Sequence, residues 1–255
     1  MSLLSSLLEM AKSLMGISSV IPGALRFHPP ALPGKLRSVS PGLWATEDEG
    51  LFGGFATAAG FLLERPEGNT FIYSSAHISR YFQHITELGG VRNIFLNHQD
   101  EASPHVMELA KQFSADIWVH KNEKNICEEK GTIPTQLFVE SITKFNDDLT
   151  AFHTPGHTEG VVSYLWKNPQ EGGCAYLFTG DTLISTEQES IEFILSFHSY
   201  QGNKEDLINS LKLLRDLESN ILVPGLANGG KPLVAMTWTA DDRSRVLNRL
   251  IESLK

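Results

Sequence analysis

Along this chain, apolar runs of strand length come first. They then alternate with segments of helical period and return as strands before the chain closes in helices, and that order restricts the folds open to it. Residues 36–46 read as a strand interrupted by Pro41-Gly42. Runs 58–64 and 70–74 flank Arg65-Pro66-Glu67-Gly68-Asn69, a strong turn signal, so they form a hairpin. Helical spacing over 78–88 stops at Gly89-Gly90. Strands 91–96 and 116–119 then bracket a helix over 104–113, and short strands follow at 137–139 and 149–152. Runs 161–166 and 175–178 flank a turn-rich stretch at 168–173. Residues 206–217 are helical, 221–223 a strand, and 240–254 a closing helix. This succession predicts an α/β (α+β) sandwich: two mixed β-sheets with helices on their outer faces.

A chain of 255 residues, 41% hydrophobic and 20% charged, suits a folded domain of that size. The net charge of −9 and the lack of a Lys/Arg cluster argue against a nucleic-acid binder. Arg243 and Arg245, among Asp241, Asp242 and Glu252, read as a solvated helix face. Cys127 and Cys174 share no motif, which favours a reducing compartment, so a cytoplasmic location is expected. Near the N-terminus, Leu3, Leu4, Leu7, Leu8 and Leu14 recur at helical spacing, with Ser5, Glu9 and Lys12 on the other face. That pattern predicts an amphipathic helix packed on the domain or contacting a partner, not a secretory signal. No transmembrane segment is expected. A Pro-rich arm follows at 26–34, so residues 1–34 are expected to precede a single domain over 35–255.

Two short motifs carry chemistry. His153-Thr154-Pro155-Gly156-His157-Thr158-Glu159-Gly160 follows a strand and presents His157 from a rigid turn. Phe178-Thr179-Gly180-Asp181-Thr182 also ends a strand, and Gly180 leaves Asp181 free to reach away from the sheet. A strand-end imidazole and a strand-end carboxylate form a sensible pair of metal ligands. The other histidines are less informative. His28, His77, His84, His120 and His198 read as surface or packing residues, His105 as a surface residue of a helix with a substitute metal ligand as the alternative, and His153 as a structural or supporting residue.

Together the two motifs resemble those of the metallo-β-lactamase superfamily, which carries Thr-Pro-Gly-His-Thr-x-Gly before a hairpin and then a strand ending in Thr-Gly-Asp. The resemblance covers roughly residue 37 to the C-terminus and implies an αββα sandwich with a metal site at one edge between the sheets. The family's His-x-His-x-Asp-His motif is degenerate here: strand 91–96 runs into Asn97-His98-Gln99-Asp100-Glu101-Ala102-Ser103. In one register Asn97 stands for a Thr, His98 for the first His and Asp100 for the second. In the other, His98 is the second His and Asp100 the Asp. The first is preferred, because it resembles a branch with Thr-His-Arg-Asp-Asp and the flavodiiron branch with His-x-Glu. It implies His98, Asp100, His157 and Asp181 as ligands of one divalent ion, Zn, Fe or Mn.

The ligands of a second ion are replaced. Ala102-Ser103 stands for Asp-His, and Pro224-Gly225-Leu226-Ala227 stands for Pro-Gly-His-Gly. Tyr73 or Ser74 occupies the place of a buttressing Asp. The resemblance implies a hydrolase with one metal acting on a small-molecule ester, thioester, lactone or phosphodiester, with Asp181 or Glu101 orienting the water. A catalytically inactive binding or scaffold module is the alternative, and iron redox chemistry a third. Loops 50–60 and 193–202 are expected around the site.

Overall fold

A computed structural model describes residues 19–20, 25–26, 32–185, 190–192, 202–228, 233 and 235–255. The expected N-terminal helix, His28, His198 and nearly all of loop 193–202 lie outside them. The first strands are β1 (Ser19–Val20), β2 (Leu25–Arg26), β3 (Arg37–Ser40), β4 (Leu43–Ala45), β5 (Glu49–Leu51), β6 (Ala56–Ala58), β7 (Phe61–Leu63) and β8 (Thr70–Ile72). Next come β9 (Asn93–Phe95), β10 (Asp116–His120), β11 (Gln136–Phe138), β12 (Ile142–Phe145), β13 (Leu149–His153), β14 (Val162–Asn168) and β15 (Cys174–Gly180). The last are β16 (Ile184–Ser185), β17 (Ser190–Glu192), β18 (Ile221–Pro224), β19 (Leu226–Asn228) and β20 (Ala235–Thr237). The α-helices are α1 (Phe82–Glu87), α2 (Pro104–Phe113), α3 (Lys124–Glu129), α4 (Lys204–Asp216) and α5 (Ala240–Ser253).

Among the described residues, one seven-stranded sheet has the order β11-β10-β9-β8-β7-β4-β3 and a second the order β12-β13-β14-β15-β18-β20-β2. Both are mixed. Strands β8 to β11 pair in parallel within the first, and β15 and β18 in the second. A smaller sheet, β1-β17-β16-β19-β6-β5, accompanies them.

Strand alternation sorts the side chains into three layers. Phe61, Leu63, Ile72 and Phe95 of the first sheet meet Tyr164, Trp166, Tyr176 and Phe178 of the second in one shared core. On the outer face of the first sheet, Leu62, Phe71, Ile94 and Ile117 pack beneath Ile85 of α1, Val106 and Leu109 of α2, and Cys127 of α3. On the outer face of the second, Leu177 and Leu222 lie under Leu207, Leu211 and Leu214 of α4 and Val246, Leu247 and Leu250 of α5. The layers are therefore helix, sheet, sheet, helix, as the element order predicts.

The differences from the sequence reading have local causes. Run 58–64 is split, because the chain leaves the small sheet after β6 and enters the first sheet at β7. Gly60 makes that crossing, where a Cβ would stand 2.5 Å from the Phe71 ring. Segment 78–88 begins as a 3₁₀ turn over Ile78–Tyr81 before α1. Helix α3 and strand β12 have no periodic signal of their own, since α3 buries one side chain, Cys127, and β12 buries none completely.

At the end of the sandwich where β8 and β13 begin, Arg65 ties the sheets together. It donates to both carboxylate oxygens of Asp148 at 2.8 and 2.7 Å and to the Phe145 carbonyl at 2.8 Å. The far ends of these strands carry the polar residues described below.

Phe95 lies at the centre of the shared core, fully buried, with its ring against Trp118, Phe138, Phe145 and Tyr164. Phe95→Ala is therefore expected to cost about 3–5 kcal/mol in urea unfolding. Ile142→Ala, on an edge strand and half exposed, should cost less than about 0.5 kcal/mol in the same experiment.

Candidate metal centre

Four strand ends meet on one side of the sandwich. His98 follows β9, His157 lies in the turn after β13, Asp181 directly follows β15, and Gly225 follows β18. His98 and His157 are buried, with ring centroids 4.8 Å apart and planes nearly perpendicular. Asp181 Oδ2 stands 3.6 Å from His98 Nε2 and 3.7 Å from His157 Nε2. Asp100 Oδ2 stands 3.6 Å from His98 Nε2. Donor atoms of His98, Asp100 and His157 lie within 4.8 Å of one another.

The spacing is informative. Contacts of 3.6–3.7 Å are too long for hydrogen bonds, and neither ring nitrogen of His98 makes one. Two ligands of a tetrahedral ion, each at about 2.0–2.2 Å from it, lie about 3.3–3.6 Å apart. His98, Asp100 and His157 bring donor atoms close enough together to hold one divalent ion, and Asp181 stands 3.6 and 3.7 Å from the two imidazoles at its edge.

Electrostatics agree with the geometry. Burial alone pulls the His98 pKa down, but the facing carboxylates of Asp181, Asp100 and Glu101 raise it well above the ordinary histidine value. Glu101 is on the other side of that ring, 3.7 Å from Nδ1, and accepts the Asn97 N–H at 2.6 Å. Burial raises its pKa to about 7 against the lowering effects of His98 and the Asn97 N–H. Lys130 approaches Asp100 from outside, donating to Oδ1 at 2.6 Å and to the Gln99 carbonyl at 3.1 Å.

Asn97, the stand-in for a family Thr, knits three of these segments together. Its side chain donates to the Val162 carbonyl at 2.5 Å and accepts the Asp181 N–H at 3.3 Å. A Cβ on Gly180 would overlap the Asn97 amide, and Gly180 has φ of 52°, so glycine is required there. Tyr73, one of the two candidates for the place of the buttressing Asp, has a hydroxyl that accepts the Gly180 N–H at 2.8 Å and donates to the Val223 carbonyl at 3.4 Å.

Glu123, which nothing in the sequence singled out, is buried between the ligand-bearing loops. It accepts from Gln99 N at 3.1 Å, Thr158 Oγ1 at 2.6 Å and Gly160 N at 2.7 Å. Its only local signal is the Lys-Asn-Glu turn, which reads as solvated.

Three other described histidines have partners of their own. His105 is 3.5 Å from Glu108 on α2, with its side chain 40% exposed. His84 accepts the Leu36 N–H and packs edge-on to Trp44. His153 Nε2 is 2.8 Å from the Glu159 carbonyl, and its ring stacks on His120 at 3.9 Å. Gly225 abuts Asp181, since a Cβ there would stand 2.8 Å from Oδ1. Leu226 is the next residue and is partly buried.

A family model described as the Metallo-beta-lactamase superfamily matches residues 84–226. The chain belongs to this superfamily. The matched stretch includes all four converging residues and ends at Leu226.

This superfamily member is 30% identical to a hydroxyacylglutathione hydrolase of Bartonella quintana (strain Toulouse) over 115 residues, 45% of this chain and 40% of that one. It is 26% identical to another of Shewanella loihica (strain ATCC BAA-1088 / PV-4) over 142 residues, 55% of this chain and 48% of that one. It therefore spans less than half the length of these curated relatives. Among solved structures, a metallo-beta-lactamase from Pontibacter korlensis gives a TM-score of 0.60 at 14% identity, covering 86% of this chain and 98% of that one. One from Pseudomonas aeruginosa in a mono-zinc form gives 0.63 at 14% identity, covering 88% and 97%. At these identities the structures show the fold.

His120 provides a pH test of the superfamily core beside the site. Burial, with His153 and Lys121 nearby, lowers its pKa from 6.5 to about 4. Between those values the unfolded chain takes up a proton at His120 and the folded chain does not, so stability falls as pH drops through this window. Asn at this position keeps an acceptor for the Asn122 N–H that His120 Nδ1 now receives at 3.3 Å. The stability of wild type relative to His120→Asn, from urea unfolding, should fall steadily from pH 6.5 to about 4. A difference that stays flat across that window would show that His120 does not titrate as described.

Proposed function

We propose that the chain is a metal-dependent hydrolase holding one divalent ion between His98, Asp100, His157 and Asp181. The supporting observation is that Asp181 faces two buried imidazoles, and the more exposed Asp100 faces one of them, at 3.6–3.7 Å, with neither ring nitrogen of His98 in a hydrogen bond. Mixed nitrogen and oxygen donors suit Zn, Fe or Mn. When bound, the ion supplies Lewis-acid activation of water and of the bond to be cleaved.

The chain's own part is positioning and proton transfer. Asp181 Oδ2 faces both imidazole Nε2 atoms, which suits it to orient the attacking water and hold its proton. Glu101, the other candidate for that role, faces His98 Nδ1 and orients the imidazole. The hydrolase relatives and the mono-zinc neighbour support the reading. Substrates in scope are esters, thioesters including hydroxyacyl thioesters, lactones and phosphodiesters.

We assign residues 35–255 to the catalytic domain and 1–34 to an arm on it. The described backbone of that arm pairs Ser19 with Ile191 and Leu25 with Met236. Among the described residues no helix is long and apolar enough to cross a membrane. A cytoplasmic location is proposed on Cys127 and Cys174, which form no disulfide.

A second reading, an inactive module of the same fold, is favoured by Leu226 at a ligand position and by Lys130 drawing on Asp100. Metal analysis separates the two. The purified chain should hold at most one metal, because Ala102-Ser103 and Leu226 stand where the resemblance implies the ligands of a second ion. His157→Ala should abolish binding, whereas His105→Ala should leave it intact. The loaded protein should hydrolyse at least one member of a panel covering the four substrate classes, and Asp181→Asn should remove that activity. No binding after reconstitution with Zn, Mn and anaerobic Fe(II) would establish the inactive module instead.

A further inference from the structure

Glu123 is 2% exposed, and it accepts hydrogen bonds from two loops that are far apart in sequence. Oε2 takes the Gln99 N–H, between His98 and Asp100. Oε1 takes the Thr158 hydroxyl and the Gly160 N–H, just past His157. A Cβ on Gly160 would stand 2.6 Å from Oε1, so the glycine is what lets the carboxylate reach so deep.

We propose that Glu123 is a positioning residue for the metal centre: it sets the separation between the His98–Asp100 turn and the His157 loop at the value one ion requires. The proposal rests on the one-metal reading. A buried carboxylate accepting charge-assisted hydrogen bonds is a stiff link, because each donor is lost to the interior if the link opens. Groups outside the ligand sphere that orient ligands commonly govern affinity.

An amide cannot replace it. Glutamine has one accepting oxygen. With that oxygen toward Thr158 and Gly160, its NH2 confronts the Gln99 N–H. Turned over, it confronts the other two donors. In either orientation the bridge between the loops is broken, while volume and fold are kept.

The test uses the full chain as wild type, Glu123→Gln, Thr158→Val and, as a stability control, Leu250→Ala in the distant core under α5. Three quantities are read: Zn(II) affinity by competition with a chromophoric chelator, the visible spectrum of the Co(II)-loaded protein, and the urea midpoint without metal. Glu123→Gln is expected to weaken Zn(II) binding by about 10–100-fold and to change the Co(II) spectrum. Thr158→Val should weaken binding in the same direction by a smaller factor. Leu250→Ala should lower the urea midpoint with affinity and spectrum unchanged.

Wild-type affinity in Glu123→Gln, or affinity that merely tracks the urea midpoint across all variants including Leu250→Ala, overturns the proposal alone. If Glu123→Gln does not fold, Thr158→Val decides, and unchanged affinity there overturns it equally. A wild-type chain that binds neither Zn(II) nor Co(II) overturns the one-metal reading and this proposal with it.

Discussion

Packing between the two sheets sets where every polar group at the site stands. Phe95 and Tyr164 meet across the core at 5.3 Å, and Phe178 contacts Phe61 and Tyr73 edge-on. These residues belong to or adjoin the strands that deliver His98, His157 and Asp181. Interiors at crystal-like density hold their side chains in single rotamers, so the strand ends inherit fixed positions. The ligand-bearing turns then need only short corrections, which Asn97, Tyr73 and Glu123 make by hydrogen bonding backbone groups that would otherwise be buried without partners.

Charge is balanced across the same few ångströms. Asp100, Glu101 and Asp181 face His98 from both edges of its ring. Three carboxylates this close repel one another, and Lys130 offsets part of that repulsion by pairing with Asp100 Oδ1 while leaving Oδ2 toward the imidazole. In the one-ion reading the cation supplies the remaining compensation, which explains why so much negative charge can sit at a mostly buried place.

The departures from the superfamily pattern are mutually consistent. In the one-ion reading, Ala102-Ser103 and Leu226 stand where the resemblance implies the donors of a second ion. Tyr73, a candidate with Ser74 for the place of the acidic buttress, supports the Gly180 backbone with a neutral hydroxyl.

The sequence by itself determined the layered class, most strands and helices, and the two motifs that present His157 and Asp181. These depend on periodicity and on turn residues such as Pro155-Gly156 and Gly180, whose effects act within a few neighbours. Tertiary structure alone decided the supporting contacts. Glu123 meets Thr158 across 35 positions and Tyr73 meets Gly180 across 107, and a hydrogen bond between such distant residues leaves no local pattern. It also decided that run 58–64 divides between two sheets and that Glu101 takes the Nδ1 side of His98 while Asp100 takes the Nε2 side. Adjacent acidic residues look alike in a sequence, and only the packed backbone around them assigns each a direction.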